Sequence, residues 1–424
     1  MVDEDGYDRV RTGQWLAGLA EGRGFSRRDV LRTAALGATV AGLSAAGMRP
    51  ASAAPGVPPT PAGPIVKPLP PDLFTVLGTN AEMKWEAMRG VGYHTPVDRF
   101  FVRNHTSTPV LDRDSWRLRL FGTGLRGRPT RDAPIEISFA DLRRLPTQTY
   151  SSFIECAGNG RSFYASQQGQ ATTGTAWKLG AVGVARWRGV RLGDVLRRAG
   201  LSRSAVDVLP AGLDPDYLAD GVDLGRVRRP MPVGKALDDV LLAYEMNGRP
   251  LPHDHGFPVR LVVPSWIGIA SIKWVGEIEV SDRPLFSPWN TQFYRYFGPG
   301  FPAEGSAPLT RQVVKSAFEL PFPAAVPAGR TTRLTGRSWS GRGRITSVRV
   351  STDGGDTWRR PRIRPGGDAG WTRWELPWRP PGPGPYELLA RATDEAGRTQ
   401  PDEARFNTLG YLFDAVVRHP VTVA

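Results

Sequence analysis

The feature that most constrains this chain is that its 424 residues contain a single cysteine, Cys156. No internal disulfide can form, so hydrophobic cores must hold the fold, and the chain is long enough for two or three domains with such cores. An apolar run ends at Glu155-Cys156, and Ala-Gly-Asn-Gly follows. This order predicts a strand that gives way to a loop whose backbone can approach a ligand closely.

Two interpretations of Cys156 follow from the residues alone. Free cysteine is among the most buried residue types, so the thiol could be an inert part of a core. A thiolate is also a preferred ligand of soft metals, which the surrounding loop favours. Zinc is a poor fit, because His253 and His255 lie two residues apart and no second cysteine or suitably spaced histidine completes a zinc motif.

Residues 1–53 have the order of a twin-arginine signal peptide. Ser-Arg-Arg-Asp-Val-Leu-Arg at 26–32 precedes an apolar stretch at 33–48, and Ala-Ser-Ala at 51–53 offers small residues for cleavage. The apolar stretch is shorter than the about 20 residues of a membrane span. We therefore predict export through the twin-arginine pathway to the periplasm, cell envelope or exterior. A short amphipathic helix or an uncleaved anchor is the alternative.

The chain is basic, with 55 Lys and Arg against 41 Asp and Glu and a net charge of +14. The excess is arginine scattered along the sequence, without a long basic block or a recognisable nucleic-acid module. Nucleic-acid binding is therefore disfavoured. A positive field of this kind draws small anions, which predicts an anionic substrate.

Residue patterns divide the rest of the chain into a linker and two domains. Residues 54–71 are dense in proline and predict a linker without regular structure. Between 72 and 305, short apolar runs and a few helical patterns predict an α+β domain with antiparallel or mixed sheets. The helical patterns lie at 141–145, 192–199 and 235–242. From 310 to 424, helical periodicity disappears and alternating runs such as 345–350 predict a β-sandwich.

The heptapeptide Glu-Cys-Ala-Gly-Asn-Gly-Arg at 155–161 resembles the molybdenum-ligating motif of the sulfite oxidase family. Further matching stretches occur in the same order from about residue 70 to the end of the chain. They are Thr-Pro-Val-Asp-Arg-Phe-Phe-Val-Arg-Asn-His at 95–105, Ala-Arg-Trp-Arg-Gly-Val at 185–190, and the segments 241–248, 254–260, 273–274 and 351–358.

The resemblance implies an α+β sulfite-oxidase-type molybdopterin-binding catalytic domain at 72–305, followed by an all-β immunoglobulin-like dimerisation domain at 310–424. In this family, molybdenum is held by the dithiolene sulfurs of molybdopterin and by one protein thiolate. Cys156 is the metal ligand by this match. We expect no haem, because the Cys-x-x-Cys-His motif needs two cysteines and no segment resembles the family's haem-carrying domain.

The resemblance also implies which residues bind the cofactor. They are Phe101, Val102, Arg103, Asn104, His105, Cys156, Asp214, His255, Arg260, Ser271, Ile272 and Lys273. Arginine and lysine are the usual partners of a phosphate. From the residues alone, Asp214 could equally be a turn or capping residue, and Lys273 could be a solvated strand end.

The catalytic residues implied by the family match are Cys156, Arg103, Arg161, Trp177 and Tyr294. Paired guanidinium groups bind an oxyanion through charge-assisted hydrogen bonds. From the sequence alone, both aromatic residues could be core or interface side chains. Two departures from the eukaryotic pattern make the site less cationic: Gly160 replaces an arginine, and Leu409 stands at the position of a third pocket arginine.

The resemblance implies an exported molybdenum-dependent oxidoreductase that oxidises sulfite to sulfate by oxygen-atom transfer. Its electrons would pass to an external acceptor such as a cytochrome or dioxygen. We expect a homodimer through the C-terminal domain, with tryptophans 339, 358, 371, 374 and 378 supplying surface for the contact or filling the domain's own core. The alternatives are a related molybdoenzyme that acts on carrier-bound sulfane sulfur or a sulfoxide, and a non-catalytic exported binding protein.

Overall fold

The computed structural model describes residues 4–20 and 64–424, so residues 21–53 of the expected signal peptide at 1–53, and 54–63 of the expected linker, lie outside the described residues. In this part of the chain, no helix is long and apolar enough to cross a membrane. The helices are α1 (Glu4–Ala20), α2 (Phe139–Arg143), α3 (Ser162–Gln168), α4 (Leu192–Arg198), α5 (Val233–Asp238) and α6 (Pro288–Thr291). Single turns of 3₁₀ helix occur at Trp85–Met88, Val97–Arg99, His253–His255 and Gly268–Ala270.

Within residues 64–424, fourteen strands precede residue 310 and eight follow it. The first group is β1 (Phe74–Leu77), β2 (Asn80–Met83), β3 (Arg117–Phe121), β4 (Ile135–Ser138), β5 (Thr147–Glu155), β6 (Val182–Arg191), β7 (Asp207–Gly212), β8 (Leu218–Ala219), β9 (Val222–Asp223), β10 (Met231–Pro232), β11 (Leu241–Met246), β12 (Arg249–Pro250), β13 (Arg260–Val262) and β14 (Val275–Ser281). The second group is β15 (Lys315–Phe318), β16 (Ala324–Val326), β17 (Thr332–Trp339), β18 (Ile345–Ser351), β19 (Arg362–Arg364), β20 (Trp371–Trp378), β21 (Gly384–Asp394) and β22 (His419–Val423).

The catalytic part is built on two main sheets. One has the order β10-β7-β14-β3-β4, in which β14 and β3 run parallel and the other neighbours antiparallel. The other has the order β12-β11-β6-β5, with β13 also paired to β11. This arrangement agrees with the predicted α+β domain with antiparallel or mixed sheets.

Strand β5 delivers the cysteine to its loop, as the sequence predicts. Its nine residues pair with β6 from Thr147 opposite Val190 to Glu155 opposite Val182. The last four residues of β5 are buried. The loop begins at Cys156, whose carbonyl accepts a hydrogen bond from the Asn159 backbone N–H at 2.9 Å.

The predicted helices at 141–145 and 192–199 are present as α2 and α4, displaced by one or two residues at their ends. The prediction of helix over 235–242 was wrong beyond Asp238, where α5 ends. Residues Leu241–Met246 form β11 instead, almost fully buried between β6 and β13. A short apolar run fits a buried strand as well as a helix, and pairing on both sides decides for the strand.

The C-terminal part contains two four-stranded sheets, in the orders β15-β17-β20-β19 and β16-β22-β21-β18. Apolar side chains from both sheets form one core, which includes Leu334, Val350 and Leu388. The predicted β-rich domain is therefore confirmed. In β18, Ile345, Val348 and Val350 are buried, and a register irregularity between Ile345 and Ser347 interrupts the strict alternation.

Four of the five tryptophans of this part are buried, as the core-filling alternative predicts, whereas Trp358 is half-buried with the Arg391 guanidinium 4.7 Å from its ring centroid. Trp374 and Trp378 belong to the sandwich core. Trp339 and Trp371 pack instead on the catalytic part, where the Trp339 ring stacks on that of Trp85 at 5.7 Å between centroids. These four indoles are at least 97% buried within one chain, so they need no second chain to cover them.

A buried ion pair joins the two parts directly behind the cysteine loop. The Lys315 ammonium on β15 lies 2.7 Å from a carboxylate oxygen of Glu155, the residue before Cys156. Lys315 also donates to the Asn159 carbonyl at 2.8 Å, and the Trp339 indole donates to the other Glu155 oxygen at 2.9 Å. Both charged side chains are 98–100% buried. Such a pair is stable only when its hydrogen bonds are all made, as they are here.

We predict that Lys315→Met lowers the free energy of unfolding by about 3–5 kcal/mol, because it leaves the Glu155 carboxylate buried without its cation. Urea unfolding followed by tryptophan fluorescence measures the change. The control is Arg333→Met on the same domain, whose ion pair with Glu375 is solvent-exposed and should be worth less than about 1 kcal/mol. Equal unfolding free energies for the two variants would contradict this account of the interface.

Candidate active site

A cavity opens beside Cys156. Twelve of the residues predicted from the sequence line it, so the structure brings most of the expected site together. They are Phe101, Arg103, Asn104, His105, Cys156, Asp214, His255, Arg260, Ser271, Ile272, Lys273 and Tyr294.

Cys156 is fixed at the cavity wall by its backbone. Its N–H donates to the Ala181 carbonyl at 2.9 Å, and the Asn159 side chain in turn accepts from the Ala181 N–H at 3.0 Å. The residue is 91% buried yet lines the cavity. It is therefore not sealed inside a core, which favours the ligand interpretation over the inert one.

Arg103 lies in the same wall with an unsatisfied donor. The residue is half-buried, and its buried Nη1 atom has no hydrogen-bond partner among the described residues. Its charge interacts with Tyr294, Cys156 and Tyr411. A buried guanidinium nitrogen without a partner is costly, and its place at a cavity beside a thiol indicates that an anionic group binds there.

Asn104, His105 and Lys273 form a second cluster of polar groups. The Lys273 ammonium donates to the Asn104 side-chain oxygen and, at 2.8 Å, to the Asp254 carbonyl. Burial lowers the pKa of Lys273 well below its usual value, assisted by the Arg260 cation. Burial also lowers the pKa of His105 well below its usual value, with Arg103 and Lys273 adding to the effect.

His255 and Arg260 line the far side of the cavity. The His255 Nε2 atom is buried and finds no partner in the described part of the chain, and burial holds the pKa of this imidazole well below its usual value. Arg260 donates to the His255 and Ser271 carbonyls, each at 3.0 Å, and its guanidinium lies 5.1 Å from the Trp187 ring centroid. These hydrogen bonds from Arg260 connect the two loops that carry His255 and Ser271.

Asp214 is the one acidic side chain among the predicted lining residues. Burial raises its pKa to about 6, and the Lys273 charge opposes part of that rise. Its Oδ1 atom is buried and has no partner among the described residues. An unpaired acceptor at a cavity wall suits a ligand N–H group better than the turn or capping role. In the described part of the chain, no three His, Cys, Asp or Glu residues are grouped to hold a metal ion.

Val102, Trp177 and Arg161 were predicted in the site but do not line the cavity. The Val102 side chain belongs to a small core with Phe74 and Ala81, because its backbone pairs with that of Ala81. Trp177 is buried behind Phe101, with the two ring centroids 6.4 Å apart in an edge-to-face arrangement. The core-aromatic alternative describes Trp177, whereas Tyr294 does reach the cavity.

Arg161 lies one aromatic layer from Tyr294. Its Nε donates to the Leu409 carbonyl at 2.8 Å and its Nη1 to the Thr175 carbonyl at 2.9 Å. The guanidinium lies 5.3 Å from the Tyr411 ring centroid, and Tyr411 stacks on Tyr294 at 5.0 Å. The charge of Arg161 therefore acts on the tyrosine pair, while its hydrogen bonds fix the 409–411 segment.

The two departures from the eukaryotic pattern have structural consequences. Gly160 has a φ of 95°, and a Cβ there would lie 3.1 Å from Cβ of Phe413, so a larger residue would be strained at this position. The Leu409 side chain packs against the catalytic core, and its carbonyl accepts the Arg161 hydrogen bond.

Sequence reasoning missed several residues of the site, above all Asp254 and Tyr411. The Asp254 carboxylate accepts hydrogen bonds from the Val66 and Lys67 N–H groups and from the Thr108 hydroxyl. Asp254 begins the matched stretch 254–260, so that match could have identified it. Tyr411 lies two residues after Leu409, and only its stacking on Tyr294 reveals its role.

Two family models match the chain. The oxidoreductase molybdopterin binding domain covers residues 105–289, and the Mo-co oxidoreductase dimerisation domain covers residues 314–424. The first match contains Cys156 and most of the cavity. The second coincides with the two four-stranded sheets.

Sulfite oxidase of Gallus gallus is 38% identical over 342 residues, which are 76% of this chain and 71% of that protein. Mitochondrial sulfite oxidase of Homo sapiens is 36% identical over 351 residues, or 78% of this chain. The match spans 62% of the length of the human protein.

Among solved structures, the sulfane dehydrogenase SoxCD from Paracoccus pantotrophus is similar, with a TM-score of 0.69 and 27% sequence identity. The likeness covers 82% of this chain and 88% of that one. Together with the cavity built around Cys156, these matches show an oxidoreductase with a molybdopterin-binding domain. The chain belongs to the sulfite oxidase family of molybdopterin-dependent oxidoreductases.

Proposed function

We propose that this enzyme oxidises sulfite to sulfate at the cavity beside Cys156. The observation that carries the proposal is the buried, unpartnered guanidinium nitrogen of Arg103 in the same wall as the thiol. Oxidation of sulfite adds one water-derived oxygen to sulfur and releases two protons and two electrons. The relatives named sulfite oxidase support this substrate.

The cavity residues fit molybdopterin. Three buried polar atoms of the cavity have no hydrogen-bond partner among the described residues: Nη1 of Arg103, Nε2 of His255 and Oδ1 of Asp214. They offer donors for the anionic part of such a group and an acceptor for its N–H groups. When bound, molybdenum–molybdopterin supplies oxygen-atom transfer and accepts the two electrons. Cys156 would hold the metal, since thiolates suit such metals.

The protein's own groups prepare the site for an anion. Burial lowers the pKa of Lys273, and a bound phosphate would raise it again by favouring the charged form. Burial raises the pKa values of Tyr294 and Tyr411, so both phenols stay protonated at neutral pH and can donate hydrogen bonds. We assign sulfite binding to Arg103, with Arg161 supplying positive charge through the tyrosine pair.

A second candidate is oxidation of carrier-bound sulfane sulfur. The similarity to a sulfane dehydrogenase supports it. Leu409 supports it as well, because an apolar residue at that position leaves less positive charge for a free dianion. A substrate panel separates the two candidates.

We also propose the organisation expected from the sequence: a twin-arginine signal at 1–53, a linker at 54–71, and transfer of electrons to an external cytochrome or dioxygen without a haem in this chain. The C-terminal domain would be immunoglobulin-like and would form a homodimer. Its match to a dimerisation domain supports the dimer.

Cys156→Ser should abolish turnover with sulfite while the protein still folds, because a hydroxyl is too hard and too weakly acidic to replace the thiolate. Steady-state assays and thermal unfolding measure the two effects. Ser152→Ala is the control, since Ser152 is a buried neighbour on β5 whose hydroxyl donates to the adjacent Phe153 carbonyl. Turnover at the wild-type rate by the Cys156→Ser enzyme would refute the ligand assignment.

Arg103→Gln should lower kcat/KM for sulfite by about one to two orders of magnitude, since a charge-assisted hydrogen bond to a desolvated oxyanion is worth roughly 1.5–3 kcal/mol. Arg161→Gln should have a smaller effect, because Arg161 does not line the cavity. Arg188→Gln, at a partly exposed ion pair with Glu245, is the control and should change little. If Arg103→Gln stays within twofold of wild type for sulfite, sulfite is not bound there; carrier-bound sulfane substrate is then tested on the same variants.

The homodimer should appear in sedimentation at micromolar concentration as a species of twice the chain's mass. The C-terminal sheets would form the contact, since this region matches the dimerisation domain. A single monomeric species over the micromolar range would exclude a stable dimer of this kind.

A further inference from the structure

Helix α1 carries a stripe of side chains suited to docking. Glu4, Tyr7, Asp8, Arg11 and Trp15 follow the spacing i, i+3, i+4, i+7 and i+11. This spacing places all five on one face of the helix. The stripe combines acidic and basic side chains with two aromatic rings. It therefore suits a surface with complementary charges and hydrogen-bonding groups better than an apolar groove.

The centre of the stripe is held by Asp207 at the start of β7. The Arg11 guanidinium donates to both carboxylate oxygens of Asp207, each at 3.2 Å, and the Tyr7 hydroxyl donates to one of them. Asp207 is fully buried, and within the domain the Leu285 N–H also donates to it, at 2.8 Å. Helix α1 thus provides most of the hydrogen bonds that a buried carboxylate requires.

The rest of the stripe contacts a second and a third segment. Glu4 forms a 2.8 Å ion pair with Arg311, and Asp8 accepts a hydrogen bond from the Thr310 hydroxyl. The Arg295 guanidinium lies 4.8 Å from the Trp15 ring. Glu4 and Asp8 are more than 90% buried, so their charges are removed from water by this contact.

The receiving surface exists only in the folded domain and lies against the active site. Its residues are separated by about a hundred positions in the sequence, from Asp207 to Arg311. The Thr310 carbonyl accepts from the Ile267 N–H at 2.8 Å, next to Gly268 of the cavity wall. The Leu309 N–H donates to the carbonyl of the cavity residue Tyr294 at 2.7 Å. Formation of this surface and of the cavity wall are therefore linked.

We propose that α1 is an intramolecular ligand of the folded catalytic domain, bound as a helix with a complementary polar stripe at the surface formed by Asp207, Arg295, Thr310 and Arg311. Six residues separate Ala20 from Arg27, and a chain segment of that length spans at most roughly 25 Å from the end of docked α1. Docking of α1 therefore links the twin-arginine pair to a catalytic domain that is already folded. The inference does not depend on the sulfite activity.

Hydrogen exchange measured by mass spectrometry on the full chain tests the docking without reference to activity. Peptides within residues 4–20 should be protected in the wild-type protein, because an isolated helix of this length is marginal in water. Arg11→Ala and Tyr7→Phe remove contacts to Asp207 and should speed their exchange, by about tenfold or more for Arg11→Ala, which removes a charge-assisted hydrogen bond. Arg9→Ala is the matched control, since Arg9 is exposed on the same helix.

Three results would overturn the proposal. The first is exchange of the wild-type helix at the rate of a free peptide, and the second is equal protection in the Arg11→Ala and Arg9→Ala chains. The third is protection that disappears on dilution, which would assign the surface to the helix of another copy. Asp207→Asn tests the same contact from the domain side and should not add to Arg11→Ala if the two residues act as a pair. Because both helix variants leave the domain core unchanged, their readout does not depend on whether Asp207→Asn folds.

Discussion

The ion pair between Glu155 and Lys315 is the interaction on which the arrangement of the active site depends. Both side chains are almost fully buried, and an unpaired buried charge would cost several kcal/mol, so each partner requires the other and the hydrogen bonds around them. Glu155 is the last residue of β5 and Lys315 belongs to the C-terminal sheets. Cys156 follows directly, and its loop is fixed from two sides: by backbone bonds to Ala181 and by the Lys315 bond to Asn159. The C-terminal part is therefore a component of the active-site scaffold.

The cavity in front of this scaffold is unusually rich in buried cations and unsatisfied polar atoms. A folded chain normally pairs its buried polar atoms. The unpaired side-chain atoms of Arg103, His255 and Asp214 therefore indicate that the cavity binds a polar group with an anionic part. Burial lowers the pKa values of His105, His255 and Lys273, and a bound anion would raise them again by favouring the charged forms.

Much of this site could be predicted from the sequence because a short motif fixes both the chemistry and the local backbone: Glu155 to Gly160 end a strand and open a loop. The matched segments identified most of the cavity for the same reason. The remaining features depend on tertiary contacts that no local pattern encodes. Trp339 and Trp371 pack between the two parts rather than on a dimer surface, and β11 replaces the second half of a predicted helix because strands flank it on both sides.

X-ray absorption at the molybdenum edge, on the purified full chain loaded with its cofactor, tests the central claim most directly. If Cys156 is the protein ligand, the wild-type enzyme will show one more sulfur neighbour at molybdenum than the Cys156→Ser enzyme. Thiolate sulfur and hydroxyl oxygen differ enough in scattering and bond length for this loss to be measured. An identical number of sulfur neighbours in the two proteins would contradict the account, because the cavity would then hold its metal without the thiol that its scaffold positions.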